Sequence, residues 1–444
     1  MANTYLTKTF ASGGSTTKWT YSVWLKRSKL SYDTANIFGR YQSSSYFMGL
    51  YFSGTDGIQF LQKHAGSNAG RLMTSDVYRD TSAYYHIVAV WDSANSTADD
   101  RMKIYVNGVS PTIINRINPS SGLGSTWNTA NPDNDIGRAN GMDSNTNYFD
   151  GLMSHIHFCD GYAYSASDFG ETDATTGEWK IKTSPSVSYG TTGFNILKDG
   201  NSVTDTSPNS NNFTVGGGSL TATKDCPSDI FATFNPLDNY YVGSTFSNGN
   251  TKVLTGSSSY AANLSTLGAS TGKFYAEFKC TDAGRGYPQV GIKGKSPTAT
   301  SDGVSNGADS VCYYGFDGKK VVGGSASTYG ATYTTNDIIG VAMDLTNNRV
   351  FFSKNGAWQD SGDPTSSTGA ITIPTSTSGF YFMGIDDEDN AGTNIWEANF
   401  GNGYFGTSQL TGTTYSPTVG NTGAVFKYAI PANYTALSTK GLNI

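Results

Sequence analysis

A strand–turn–strand pattern that occurs once in each half of the chain constrains the fold most strongly. In the first half, residues 86–92 (HIVAVWD) and 102–108 (MKIYVNG) are two strand-like segments, and the second ends in Asn-Gly. In the second half, residues 338–344 (IIGVAMD) and 349–356 (RVFFSKNG) repeat the plan. Alternating β-branched and aromatic residues followed by Asn-Gly, a turn with positive φ, indicate antiparallel hairpins. Each half is therefore predicted to contain a long antiparallel hairpin.

Other short segments of both halves alternate in the same way, and no amphipathic helical pattern of ten or more residues is present. Ser, Thr, Asn and Gly separate these segments, which is typical of sandwiches and barrels. We therefore predict an all-β fold of two tandem antiparallel β-sandwich domains. The predicted strands are residues 19–26, 46–52, 151–158, 272–279, 313–316, 380–385 and 424–430.

Polar and Gly-rich residues mark the boundary between the halves. The predicted first domain is residues 1–214, and residues 256–444 form the second domain with a C-terminal tail. Residues 215–255 between them are an irregular connector, in which four aromatic residues indicate packing onto a domain. These aromatic residues are Phe231, Phe234, Tyr240 and Tyr241.

Composition excludes several classes of protein. Only 14% of the 444 residues are charged, 13% are aromatic, and the net charge is −6. Basic residues do not cluster, so we expect no nucleic-acid partner. The apolar runs fall far below the roughly 20 residues of a membrane helix, and the N-terminus lacks the pattern of a secretory signal, so we expect neither membrane insertion nor ordinary secretion. The four cysteines lack metal or disulfide spacing and are expected to be small core residues.

The order of motifs in the first half points to a known family. The segments are WTYSVWLKR (19–27), YYHIVAV (84–90), IYVNG (104–108), FDG (149–151) and DFG (168–170). With them the first half resembles the laminin-G/concanavalin-A-like sandwich of many marine phage proteins, those of cyanophages and pelagiphages among them. The resemblance implies a jelly-roll, concanavalin-like sandwich.

The second half carries GKFYAE (272–277), DIIGVAMD (337–344) and FFSKNG (351–356). These segments resemble a SPRY-type domain, which implies a second β-sandwich. The connector from Lys224 to Pro236 also resembles a segment of the same phage proteins. Together the resemblances imply a virion protein whose domains are binding modules.

The predicted function is that of a phage virion structural protein, either a capsid decoration or head fibre, or a tail adsorption appendage. Such a protein is assembled in the host cytoplasm, resides in the virion as a homo-oligomer beside other virion proteins, and contacts host surface polysaccharide or receptors through domain loops. The alternatives are a polysaccharide-degrading depolymerase on a concanavalin-like fold and a non-viral lectin or adhesin. A missing signal and missing disulfides count against the last.

Exposed aromatic rings beside polar groups would be the sugar-binding residues, since such rings stack on the apolar faces of sugars. The candidates placed in loops are Trp127, Tyr148, Tyr329, Tyr333 and Trp358.

Catalysis and metal binding have weaker signals. No nucleophile motif is visible, Glu277 is the only acid of its strand, and the pair His155 and His157 has no third ligand nearby in sequence, so the protein is predicted not to be an enzyme. No cofactor is expected except calcium, for which an acidic loop offers oxygen ligands. The calcium candidates are Asp386, Asp387 and Asp389.

Overall fold

The chain folds into two compact units, Met1–Ala222 and Thr223–Ile444. No helix among the described residues combines the length and the apolar character needed to cross a membrane. The computed structural model describes residues 3–32, 34–131, 133–139, 147–198, 202–238, 243–256, 262–284, 287–298, 302–387 and 393–443.

The described residues of the first unit form strands and short 3-10 helices, among them Ala98–Asp100 and Ala166–Asp168. Its strands are β1 Tyr5–Lys8, β2 Lys18–Arg27, β3 Ala35–Ser43, β4 Tyr46–Phe52, β5 Ile58–His64, β6 Ser67–Thr74, β7 Tyr85–Asp92, β8 Met102–Val106, β9 Ile113–Ile117, β10 Asn134–Ile136, β11 Gly151–Asp160, β12 Gly170–Thr172, β13 Trp179–Ile181, β14 Phe194–Ile196 and β15 Thr214–Gly217.

Two antiparallel sheets of the first unit enclose an aromatic core. One has eight strands in the order β15-β1-β10-β3-β4-β5-β6-β9, and the other five in the order β14-β11-β2-β7-β8. Trp19 and Trp91 stack between the sheets with ring centroids 6.5 Å apart, and Phe38 lies 4.6 Å from Trp127. Burying each such ring contributes up to about 3 kcal/mol, so aromatic volume stabilises this sandwich.

The second unit is also built from strands, with a 3-10 turn at Pro236–Asp238 and a four-residue helix, α1 Thr439–Leu442. Its strands are β16 Thr245–Ser247, β17 Lys252–Leu254, β18 Asn263–Leu264, β19 Lys273–Asp282, β20 Pro288–Lys293, β21 Ser310–Tyr314, β22 Lys319–Val322, β23 Ser325–Thr328, β24 Ile338–Asp344, β25 Arg349–Lys354, β26 Ala357–Trp358, β27 Ile371–Thr372, β28 Phe382–Asp387, β29 Ile395–Asn399, β30 Tyr404–Phe405, β31 Ser408–Gln409 and β32 Thr435–Ala436.

Two sheets again form a sandwich in the second unit. The first follows the path β16-β17-β29-β19-β24-β25-β26, with β27 on β25 and β32 parallel to β19; the second has the order β18-β28-β20-β21-β22-β23. The core between them includes Phe278, Val341, Phe352 and Trp396. The prediction of an all-β fold with two tandem antiparallel sandwiches is confirmed.

The two predicted hairpins are present and end in the same turn. β7 pairs with β8 and β24 with β25, and both residues of Asn107-Gly108 and Asn355-Gly356 have positive φ. Asn107 donates its backbone N–H to the His86 carbonyl (2.9 Å) and accepts the His86 N–H on Oδ1 (2.8 Å). Asn355 makes the same two bonds with Ile338, at 2.8 and 2.9 Å. The Asn side chain thus closes the open end of each hairpin.

The predicted connector does not form a separate element. Residues 214–217 pair with β1 of the first unit, whereas 223–255 belong to the second unit, where β17 pairs with β29. Phe231 and Phe234 are buried there, while Tyr240 and Tyr241 lie outside the described residues. The two phenylalanines pack into the second unit because the apolar residues of this segment find partners in strands distant in sequence.

The prediction of a strand over residues 424–430 is wrong. Within it only single bridges form, from Val425 to Asn402 and from Phe426 to Tyr415. The backbone N–H groups of Lys427 and Tyr428 instead donate to the Glu277 carboxylate, so they are not available for β-ladder hydrogen bonds.

Candidate functional site

A polar cleft opens on the outer face of the five-stranded sheet in the first unit. Because side chains alternate along a strand, Trp91 points into the core while Val90 and Asp92 point outward. On the neighbouring strand, Lys103 and Tyr105 share this outward face. The loop that follows β11 covers its edge. The lining residues are Val90, Asp92, Asn95, Asp100, Lys103, Tyr105, Ala163, Tyr164 and Ser165.

Asp92 is the under-satisfied group of this cleft. Asp92 is only 8% exposed, and its Oδ1 accepts no hydrogen bond. Lys18 Nζ lies 3.5 Å from Oδ1, and Asn95 Nδ2 donates to Oδ2 at a long 3.4 Å. Oδ1 is enclosed next to Lys18, so a ligand hydroxyl in the cleft would donate to Oδ2, whose existing bond to Asn95 is long.

Tyr105 and Tyr164 supply the aromatic rings of the cleft lining. Tyr164 is fixed by its backbone N–H, which donates to Thr20 Oγ1 (2.8 Å), and by its hydroxyl, which accepts the Ser188 N–H (2.9 Å). Tyr162, 41% exposed, stacks on Tyr164 with centroids 5.6 Å apart. Because Tyr164 is fixed by these hydrogen bonds and stacks with the exposed Tyr162, the two rings form a rigid aromatic surface.

The remaining charges of the cleft are paired. Lys103 Nζ lies 3.0 Å from Asp100 Oδ1, and both side chains are partly exposed. The cleft therefore presents carboxylate acceptors, an ammonium donor and an amide beside aromatic rings. This combination suits a polyhydroxylated ligand with apolar ring faces.

Three of the predicted sugar-stacking residues are buried, and their prediction as exposed loop rings is wrong. Trp127 is fully buried in the core of the first unit. Tyr329 and Tyr333 lie in the core of the second unit, where the Tyr333 hydroxyl donates to the carbonyls of Pro288 and Tyr313. These rings fill the volume of a Leu-poor sandwich, so no face is open to a sugar.

The other two candidates are partly exposed. Tyr148 contacts the ring of Tyr5 in the first unit, and Trp358 contacts Tyr275 in the second, with centroids 6.1 and 6.3 Å apart. The five candidates are therefore divided between two units and do not form one site.

The proposed calcium residues also differ from expectation. Asp386 and Asp387 end strand β28 rather than lying in a loop, and Asp389 lies outside the described residues. Asp386 accepts the backbone N–H groups of Val304 and Asp387, each at 2.7 Å, and burial raises its pKa to about 7. Asp387 accepts the Thr255 hydroxyl at 2.9 Å. This environment disfavours calcium, which requires several available oxygens; no cluster of three metal-ligating side chains occurs among the described residues.

The histidine pair is separated by the backbone. A bulge lies between Ser154 and His157, and His155 has a φ of 47°, so the two histidines do not share a strand face. His157 is buried against the Tyr189 hydroxyl (2.8 Å), and burial lowers its pKa to about 3.

A buried serine and a buried histidine are in hydrogen-bond contact on the outer face of the five-stranded sheet. His86 Nε2 lies 2.9 Å from Ser22 Oγ, and Trp179 Nε1 donates to His86 Nδ1 at 3.0 Å. Because Nδ1 accepts, Nε2 carries the proton of the neutral ring and donates to Ser22. His86 therefore has no lone pair directed at the hydroxyl and cannot act as its base in this arrangement.

Sequence reasoning missed the cleft residues, although part of the signal was readable. Asp92, Lys103 and Tyr105 occupy alternate positions on two strands predicted to pair. The contribution of Tyr164 was not readable, since about sixty residues separate it from this hairpin.

Two family matches accompany this geometry. Residues 2–168 match the concanavalin A-like lectin/glucanases superfamily, of the laminin-G type, and residues 273–370 match the SPRY domain.

Curated relatives match about a fifth of this chain. Ran-binding protein 9 of Homo sapiens is 37% identical over 92 residues, which are 20% of this chain and 12% of that protein. The Ran-binding proteins 9/10 homolog of Drosophila melanogaster is 36% identical over 94 residues, 20% of this chain and 9% of the relative. The chain thus spans only a small part of these relatives.

Solved structures give weak likenesses. The SPRY domain of human HERC1 covers 37% of this chain and 96% of its own at 16% identity and a TM-score of 0.31. The match to the SAP-like pentraxin of Limulus polyphemus covers 36% of this chain and 71% of the pentraxin chain, with 17% identity and a TM-score of 0.28. Neither carries information about function. With the family matches and the two observed sandwiches, the chain consists of a concanavalin A-like domain followed by a SPRY domain.

Proposed function

We propose that this protein binds carbohydrate as an adhesion module, and that it does so as a component of a phage particle that contacts host surface glycans. The observation that carries the binding role is the polar cleft, in which Asp92, whose Oδ2 accepts one long hydrogen bond from Asn95, lies beside the rings of Tyr105 and Tyr164.

The cleft suits a single neutral sugar unit. Its volume is about 190 Å³, below the roughly 300–1,000 Å³ of pockets for drug-sized ligands. Asp92 is paired with Lys18 and Asp100 with Lys103, so no net charge selects an ionic ligand. Hydroxyls of a sugar would donate to Asp92 and accept from Lys103, while one ring face packs against tyrosine.

The virion role rests on the motif resemblance to marine phage proteins and on the tandem binding domains. One small cleft binds weakly, but many copies on a particle multiply its effective affinity for a polysaccharide. Homo-oligomers and contacts with other virion proteins would supply this valency.

We favour binding over catalysis because the conspicuous acids are committed to the protein itself. Glu277 is buried and accepts from the backbone of Lys427 and Tyr428, and Asp386 accepts two backbone N–H groups. A two-carboxylate hydrolase needs both acids facing a substrate.

The binding role is tested with Asp92→Ala and Tyr105→Ala on an array of bacterial surface glycans. Each variant should lose about tenfold or more in apparent affinity, whereas Glu178→Gln, at an exposed position of the same unit, should bind as the wild type. Wild-type affinity in both cleft variants would contradict the assignment. Release of new reducing ends from a bound polysaccharide would instead favour the depolymerase.

The virion role is tested by immuno-electron microscopy of purified particles with antibody against residues 256–400. Label on the head would indicate a decoration or head fibre, and label on the tail an adsorption appendage. Unlabelled particles would contradict the virion role and favour a non-viral lectin or adhesin.

A further inference from the structure

The second unit exposes a stacked aromatic pair that is separate from the cleft. Tyr287 is 36% exposed and Phe316 is 58% exposed, and their rings stack with centroids 5.0 Å apart and an interplanar angle of 24°. A ligand that covered these two rings would gain the hydrophobic free energy that their exposure to water forgoes.

Strand register brings the two rings together. β20 and β21 pair with Gln289 opposite Tyr314, and continuing this register places Tyr287 opposite Phe316. Val290 points into the core, so by alternation Tyr287 lies on the opposite, outer face of the sheet.

A buried tyrosine hydroxyl, hydrogen-bonded to both strands, stabilises this end of the sheet. The Tyr333 hydroxyl donates to the carbonyls of Pro288 (2.9 Å) and Tyr313 (2.8 Å), one on each strand. Gly315 donates its N–H to the Pro288 carbonyl at 2.9 Å, and a Cβ there would lie 2.7 Å from Pro288 Cγ. The aromatic pair therefore stands on a fixed backbone, and Tyr333 is a positioning residue for it.

The exposed area of the Tyr287–Phe316 pair indicates the kind of ligand that it could bind. An aromatic side chain has about 150–250 Å² to bury, so these partly exposed rings offer on the order of 200 Å². A stable protein interface needs roughly 800 Å² per partner. The area suits one sugar ring and is too small for a folded partner.

Among the described residues that follow Phe316, two opposite charges form an ion pair. Asp317 and Lys319 follow Phe316 along the chain, and Lys319 Nζ lies 2.6 Å from Asp317 Oδ2. A sugar selected here by ring stacking would therefore be uncharged.

We propose that Tyr287 and Phe316 form a second carbohydrate subsite, a stacking platform for a neutral sugar ring. The inference rests on the proposed glycan-binding function, and it makes each chain bivalent. Two sites on one chain raise the avidity for a repeating polysaccharide even when each is weak.

The test uses the full chain labelled with 4-fluorophenylalanine and followed by ¹⁹F NMR. The probes are maltohexaose, cellohexaose, laminarihexaose and chitohexaose, and the Phe316 resonance is identified by its loss in Phe316→Tyr. At least one probe should shift this resonance saturably, and Tyr287→Ala should weaken that titration about tenfold. The resonance of Phe380, 49% exposed in the same unit, is the internal control and should not move.

The cleft variant Asp92→Ala separates the two proposals. It should leave the Phe316 titration unchanged and reduce, without abolishing, the saturation-transfer NMR signal of the sugar, because the platform still binds. If Phe316 does not respond although Asp92→Ala abolishes saturation transfer, the cleft remains and the platform is wrong. If the wild type binds no probe at either site, both proposals fail. A Phe316 shift that follows protein concentration without sugar would show a contact between copies and overturn the platform.

Discussion

In the first unit the β7–β8 hairpin ends at Asn107-Gly108, and in the second the β24–β25 hairpin ends at Asn355-Gly356, with the same backbone geometry and the same Asn bonds. Each Gly also supports an aromatic ring from a later segment. A Cβ on Gly108 would lie 2.5 Å from the Trp179 ring, and one on Gly356 would lie 2.6 Å from the Tyr428 ring. In both units, therefore, a segment that comes later in the chain packs over the outer face of the sheet that contains the hairpin.

The difference lies in the buried ionisable group beneath each cover. In the first unit neutral His86 lies between Trp24 and Trp179 and accepts from the latter. In the second, the Glu277 carboxylate accepts from the backbone of Lys427 and Tyr428. After the same Asn-Gly turn, the buried group is therefore covered by an aromatic ring in the first unit and by backbone hydrogen bonds of a later segment in the second.

Replacing an Asn-Gly turn by Val-Val should have the largest effect. β-Branched residues disfavour positive φ at both positions, and the Asn side-chain bond is lost, so each change should cost roughly 4 kcal/mol. Hydrogen exchange should show Asn107-Gly108→Val-Val destabilising the first unit and Asn355-Gly356→Val-Val the second. Unchanged protection in the mutated unit would contradict the shared role of the turns.

The two units should respond to pH with opposite sign. Burial raises the pKa of Glu277 from 4.5 to about 7, so the folded second unit binds the extra proton between these values and loses stability as pH rises through them. Burial lowers the pKa of His86 from 6.5 to about 3, so the first unit gains stability as pH rises from 3 to 6.5. Within the measured range of pH 4 to 8, each contribution is at most about 3 kcal/mol.

Denaturant unfolding followed by hydrogen exchange between pH 4 and 8 measures both slopes. Glu277→Gln should reduce the negative slope of the second unit and leave the first unchanged. A residual slope is expected there, because burial also raises the pKa of Asp386 to about 7. Slopes of the same sign in both units would contradict the comparison.

Removing the covering rings should have the smallest effect. Trp179→Ala should destabilise the first unit by about 2 kcal/mol, less than for a fully buried Trp because the ring is partly exposed. Tyr428→Ala should cost about 1 kcal/mol, since the Glu277 bonds to the backbone remain. Thermal unfolding of each variant measures the difference, and a larger loss for Tyr428→Ala would reverse our ranking of the covers.

Local patterns located most of the framework. Residues 46–52 and 338–344 were predicted as strands with the observed bounds, because alternation and turn residues act over a few positions. The predicted strand at 380–385 is displaced to Phe382–Asp387. Alternation there continues into acidic residues whose burial depends on a distant loop at Val304.

The sequence by itself determined the hairpins, their Asn-Gly turns and the all-β class, since these follow from backbone preference and side-chain period. Only the tertiary structure decided which aromatic rings are exposed: Tyr329 and Tyr333 are buried, while Tyr287 and Phe316 are stacked at the surface. It also decided that Ala163, Tyr164 and Ser165 would line the cleft next to Asp92. Burial depends on which distant segments pack over a strand, and no local period encodes that packing.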